Sequence, residues 1–385
     1  MWDVFAYEEV RAVLSDDSAF SVDPTNLPEE HTTEVEESPI TETMLFILSA
    51  VTMWRFSPPR TGENLQRLTA DSMTDPPEHR RLRAVAESEL RPNAVADLEP
   101  AIRRITRERL DERSTPEFDV VADLAYPVPV IVIAELLGVP PEDRDRFKSR
   151  SDTLVARPEE ETREAFRRLQ REQEQALEGL QEYFVGTIER RRVDPREDLV
   201  SSVVHDEEAA LTEREPIGFR TLLLVAGIIT TTNLFSNAMR CLQGRPELID
   251  RIAKDGTVRG RTIDEVLRYR SPVQAFFRVA KAETDLGGNT ITPGEGIVAW
   301  IGSANRDPTQ FEDPDEFDPT RSPNQHVAFG DGTHYFGAPL ARLEASVVLS
   351  ELFERIDDFG IVGEELQPVR SSFVYGVESL PITVE

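Results

Sequence analysis

Cysteine is almost absent from this chain, with Cys241 alone among 385 residues. That excludes an intramolecular disulfide and any thiolate metal cluster within one chain. Lysine is nearly as scarce, limited to Lys148, Lys254 and Lys281, so arginine carries most of the positive charge. The balance of 43 basic against 72 acidic residues leaves a net charge of −29. Nucleic acid and anionic membrane are polyanions, and so acidic a surface repels both. An acidic, Lys-poor surface fits a halophile's cytoplasm, where salt screens self-repulsion. An acidic mesophile protein is the plainer alternative. Long hydrophobic runs are missing too. The longest, Met44 to Trp54, is interrupted by Ser49 and Thr52 and reaches about half a membrane span. No basic segment leads into a cleavable apolar stretch at the start, so a cytoplasmic location is expected.

What is present divides by texture. "WDVFAYEEVRAVLSD" predicts a short strand and an amphipathic helix, with nothing ahead of the strand to pair it. An irregular acidic stretch runs from Pro24 to Pro59. Helical patterns then dominate from about Glu78 to Phe235, including the long, charged "AFRRLQREQEQALEGLQEYFVGTIERRR". After Pro272, strand-like runs alternate with Gly and Pro turns. A last helix, about Ala338 to Arg355, precedes further strand-like pieces. No fixed-period repeat is visible. The expected class is mainly α, mixed α+β rather than alternating βαβ.

Four stretches carry candidate chemistry. In "TDPPEHRRLRAVAESEL", His79 and Arg83 share a helix face and can grip a carboxylate, or merely solvate that face. In "FRTLLLVAGIITTTNLFSNAMRCL", Gly227 and three threonines interrupt an apolar helix. They either leave a groove for a small ligand or pack one helix on another. In "TIDEVLRYRSPV", Glu265 and Arg268 are spaced for an ion pair. In "HVAFGDGTHYFGAPLARLEA", a Gly-rich loop holding His334 runs straight into an Ala/Leu-rich helix.

Taken together, in this order, the chain resembles the cytochrome P450 family of the soluble bacterial and archaeal kind. The resemblance runs from Trp2 to Leu380, and its most specific matches are "AGIITTTN", "EVLR", "ANRDP", "FDPTR" and "FGDGTHYFGAPLARLE". It implies one triangular, mainly helical domain over 1–385 with a small β-rich region, and haem b (iron protoporphyrin IX) as cofactor. It implies oxidoreductase chemistry, a monooxygenase placing one oxygen atom from O2 into an apolar organic substrate. His79, Arg83, Arg278 and His334 match the positions that hold the haem propionates, with Phe329 and Gly330 beside the cofactor. Glu265, Arg268 and Arg321 match a buried structural triad. Ala226, Gly227 and Thr230 match the distal helix, where a threonine hydroxyl helps deliver protons. Leu223, Val273, Ala275 and Phe276 are expected to line the substrate space.

The resemblance further implies a monomer that receives electrons from a small ferredoxin-type protein. Arg80, Arg81 and Arg91 would form a basic docking patch that Arg342 or Arg355 extends.

Departures from the pattern are as informative. The family loop reads F-G-x-G-x-H-x-C-x-G-x-x-L-A-R. Here one residue, the cysteine that ligates haem iron, is missing between Tyr335 and Phe336. Tyr335 is a weak local substitute, since a phenolate can ligate haem iron. Cys241 lies too far along the distal helix and is expected in the core. The usual acid before the distal threonine is Ile229. The helix and strand that the family places ahead of Trp2 are also missing, so the chain reads as N-terminally truncated with an exposed sheet edge.

Overall fold

A computed structural model describes residues 1–23, 26, 75, 92–112, 115–155, 162–196, 199–205, 215–331, 337–363, 365–369, 371 and 373–384, with residues 215–226 described by their backbone alone. The principal helices are α1 (Tyr7–Ser15), α2 (Glu99–Asp111), α3 (Pro127–Leu136), α4 (Arg163–Val193), α5 (Glu215–Leu242), α6 (Gly256–Tyr269) and α7 (Ala338–Phe353). Strands are short and fall mainly after residue 274, as the change of texture predicts; besides the sheet described below they are β3 (Glu117–Asp119), β5 (Thr284–Leu286), β6 (Asn289–Ile291), β8 (Phe359–Ile361) and β9 (Pro381–Val384).

Helix boundaries follow from local chemistry. The Thr162 hydroxyl accepts from the Ala165 amide at 3.1 Å and starts α4. Three arginines in the last turn of α4 suit its negative end. Asp255 accepts from the Thr257 and Val258 amides and starts α6. Pro339 occupies the first turn of α7, where its missing N–H costs nothing.

From Ile228 to Leu242, α5 is buried on nearly every side. It packs against α3, α4, α6 and α7 as the central helix of the described core. Cys241 is buried there, in the core as expected.

The β region holds a four-stranded sheet with strands β1 (Trp2–Val4), β2 (Phe20–Ser21), β4 (Ala275–Ala280) and β7 (Gly296–Trp300) in the order β1-β7-β4-β2. The opening strand finds its partner far downstream in the chain. It pairs in parallel with β7, Trp2 opposite Ile297, nearly three hundred residues on. It stands at the sheet's edge, as expected.

One electrostatic cluster ties the helices. The Glu351 side chain on α7 is fully covered. Arg103 and Arg107 from α2, with Arg355, donate to its oxygens at 2.5–2.9 Å. Burial opposes ionisation, but the three guanidinium groups win and hold the carboxyl down at about 2. A folded-state pKa below the unfolded value gives stability that is complete above about pH 4.5 and is lost as pH falls toward 2. Allowing for the half-exposed Arg107, this amounts to about 2 kcal/mol. Glu351→Gln is expected to remove it at neutral pH and to shrink the acid limb of the unfolding curve, measured by urea denaturation between pH 2.5 and 7.

Candidate functional site

Thr230 and Leu234 of α5, Leu267 of α6, Pro272, Val273, Ala328, Phe329 and Ala341 of α7 surround one internal gap. Two expected site residues from the distal helix and the signature loop, Thr230 and Phe329, therefore meet across one space with Val273. Apolar groups dominate its walls, and the Thr230 hydroxyl is the polar feature contributed by α5. The gap holds about 10 Å³.

Gly227 has a different role from a groove-former. A Cβ there would meet Ile133 Cδ1 at 2.5 Å, so this glycine permits close contact between α5 and α3. Of the two readings of the interrupted helix, packing holds at Gly227. The side chains of Ala226 and Leu223 lie outside the described residues.

Arg278 sits on β4 opposite Ile297 and is 8% exposed. Burial pushes its pKa down to about 10, against the pull of Asp17 and Asp75. Its Nη1 donates to the Phe277 carbonyl at 2.8 Å. Among the described residues no carboxylate forms an ion pair with it. A buried cation in this state is costly unless an anion is supplied. Ala275 is buried on the same strand, while Phe276 packs on the small β-sheet layer beside Gly330. Gly330 has φ +75°, which only glycine adopts freely.

Glu265, Arg268 and Arg321 do come together. Arg268 Nη2 and Nε donate to the Glu265 carboxylate at 2.7 and 2.9 Å, both side chains fully buried. Arg321 Nε stands 3.5 Å from Glu265. His79, Arg83, His334, Tyr335 and Phe336 lie outside the described residues, as do Arg80, Arg81, Arg91 and the stretch from 27 to 59.

Two arginines assigned to the docking patch have other partners. Arg342 donates to Asp264 at 2.9 Å and stacks over Phe329 at 4.7 Å. Arg355 is held by Glu351 and lies 3.7 Å from Asp111. Each therefore already has a carboxylate partner.

Three polar residues escaped the sequence reading. Asn305, in "ANRDP", is fully buried. Its carbonyl accepts from Arg268, its Nδ2 donates to Ser271 Oγ and its Oδ1 accepts from the Val327 amide. It therefore fixes the approach to the signature loop. Asn237 on α5 donates to the carbonyls of Arg270 and Tyr375; polar residues at 233, 236 and 237 in an apolar helix were its signal. Glu344 is buried with Oε2 unpaired, and burial pushes its carboxyl up to about 8.

Comparison with known proteins agrees with this arrangement. The Cytochrome P450 family model matches residues 72–357. Cytochrome P450 109 of Bacillus spizizenii is 40% identical over 316 residues, 80% of this chain and 78% of its own length. Erythromycin C-12 hydroxylase of Saccharopolyspora erythraea is 35% identical over 392 residues, 99% of this chain and 89% of its own. The crystal structure of CYP109E1 from Bacillus megaterium in complex with testosterone superposes with a TM-score of 0.81 at 37% identity, covering 100% of this chain and 93% of that one. With the helical core, the Glu265–Arg268–Arg321 cluster and full-length similarity in agreement, the chain belongs to the cytochrome P450 family.

Proposed function

We propose that this protein is a haem-dependent monooxygenase acting on an apolar small molecule. The observation that carries the reading is Arg278, a buried cation with no carboxylate ion-paired to it among the described residues, in a chain whose α5 and signature loop meet at Thr230 and Phe329. When bound, haem supplies the centre for O2 activation, and thiolate ligation in this family favours O–O cleavage. Arg278 holds one propionate, with His79, Arg83 and His334 as its companions. Phe329 and Gly330 would flank the macrocycle. The Thr230 hydroxyl passes protons, with Ala226 and Gly227 beside it on the helix. Ile229 supplies no acid, so a proton reaches Thr230 by way of solvent. Leu223, Val273, Ala275 and Phe276 would line the substrate space and favour an apolar substrate.

The sequence joins Tyr335 directly to Phe336, and we read this as loss of the family's ligating cysteine, with Tyr335 its nearest substitute. That favours a second reading, a haem or small-molecule binder without oxygen activation. In either case the protein is a single domain over 1–385, a monomer in the cytoplasm of a halophile. A ferredoxin-type donor docks on the side of Arg80, Arg81 and Arg91. No described helix is long and apolar enough to cross a membrane.

Titrating the purified chain with haem tests the cofactor assignment. Uptake is expected, and Arg278→Leu is expected to weaken it about tenfold, the value of one charge-assisted contact. Equal uptake by parent and variant removes Arg278 from the cofactor site. No uptake by the parent removes the cofactor. The absorption spectrum of the reduced, CO-bound protein separates the monooxygenase from the binder.

A further inference from the structure

A second cleft opens at the C-terminal end of α5, about 15 Å beyond Thr230 along the helix. Arg240, Gln243, Arg270, Ile361, Gly363 and Leu366 line its volume of about 250 Å³. Arg240 and Arg270 both lie against the Tyr375 ring, at 5.4 and 5.8 Å. Arg270 Nη1 donates to the Tyr375 hydroxyl at 2.6 Å, while its Nε is buried and bare. Arg240 makes only a long contact, 3.4 Å, with Asn237 Oδ1. Among the described residues no carboxylate pairs with Arg240 or Arg270. In a chain with 72 acidic and 43 basic residues, two such arginines lining one cleft are unexpected. Glu365, the nearest described acid in sequence to this wall, is exposed and makes no ion pair with them.

We propose that this cleft is an anion site, separate from the haem site, which takes an oxyanion between Arg240 and Arg270. Each guanidinium carries five donors in a fixed fork, and most of them here are unused. Tyr375 contacts both guanidinium groups, so less freedom is lost when an anion arrives. Ile361 and Leu366 offer apolar contact to a short chain attached to the anion. The ligand class is therefore a phosphate or a carboxylate bearing a small apolar group.

Heat unfolding of the full chain at fixed ionic strength, balanced with potassium chloride, tests this with two probes, inorganic phosphate and hexanoate. Each raises the unfolding midpoint of a protein that binds it in the folded state. The midpoint is expected to rise with at least one probe. Arg240→Gln is expected to need about tenfold more of it, as for loss of one charge-assisted contact. Gln243→Glu, a change on an exposed side chain, places a carboxylate at the mouth and should weaken binding without touching the core. Phosphate acting alone identifies the bare oxyanion as ligand, and a stronger response to hexanoate brings in the apolar wall. If neither probe raises the midpoint, or if both variants respond as the parent does, the site is not there. Hexanoate bound near Thr230 instead is recognised by its indifference to both substitutions.

Discussion

Inserting one cysteine between Tyr335 and Phe336 is expected to convert the protein into a thiolate-ligated monooxygenase. The reduced, CO-bound spectrum should move to the thiolate type. Turnover with a surrogate electron donor should rise at least about a hundredfold, some 3 kcal/mol of barrier. The reasoning is one of register. On the reading proposed above, Phe329 to Tyr335 fit the left side of the loop pattern and Phe336 to Arg342 the right, with one position missing between them. Both anchors are fixed in the structure. Phe329 lies under Arg342, which Asp264 holds, and Val327 is bonded to Asn305. A loop with fixed ends cannot recover a residue by sliding, so insertion restores chemistry and length together.

Tyr335→Cys is the informative contrast. It supplies a thiolate while leaving the loop short, and is expected to recover the spectrum incompletely and little turnover. Equal recovery by substitution and insertion would mean that loop length does not matter. An insertion that changes neither spectrum nor turnover would place the defect elsewhere, with Ile229 the first suspect.

Much of the fold was legible because its helices carry their own signals. Thr162 and Asp255 are caps, and Pro339 opens α7 where the texture placed it. Strand pairing was not legible. β1 joins β7 across most of the chain, and nothing in "WDVFAY" names a partner so distant. Likewise "VPVIVIAEL" has the β-branched content of a strand, yet it forms α3 because burial on most sides overrides local propensity.

At the site, motif order identified residue positions but not their electrostatic state. Arg278 sits in what reads as an ordinary strand, and its burial is seen only in the structure. Arg342 and Arg355 read as surface charges of a docking patch until Asp264 and Glu351 proved to be their partners. Ion pairs between elements leave no mark on sequence spacing. Asn305 stood inside a quoted motif, but its bonds to Ser271 and Val327 depend on where three chain segments meet.

The second large effect is expected at the Glu265–Arg268 pair, whose spacing alone suggested a weak surface bridge. Both side chains are 0% exposed. Besides its two bonds to Glu265, Arg268 donates to the carbonyls of Asn305, Pro314 and Glu316 at 2.8–2.9 Å. It therefore ties α6 to the segment that leads into the signature loop. Arg268→Ala leaves the Glu265 carboxylate buried, with only Arg321 at 3.5 Å, the Asp318 amide and the Asn324 amide to hold it. The expected loss is about 3–5 kcal/mol of unfolding free energy, measured by urea denaturation. Arg268→Lys keeps the charge but loses the fork, and should recover only part of that loss. Arg321→Ala should cost about 1 kcal/mol, since its contact with Glu265 is long. The deciding measurement is the double variant Glu265→Gln with Arg268→Met. If the loss comes from a stranded charge, removing both charges costs less than removing Arg268 alone. If the double variant is as unstable as the sum of its parts, the carbonyl bonds of Arg268, and not its charge, hold this corner of the core.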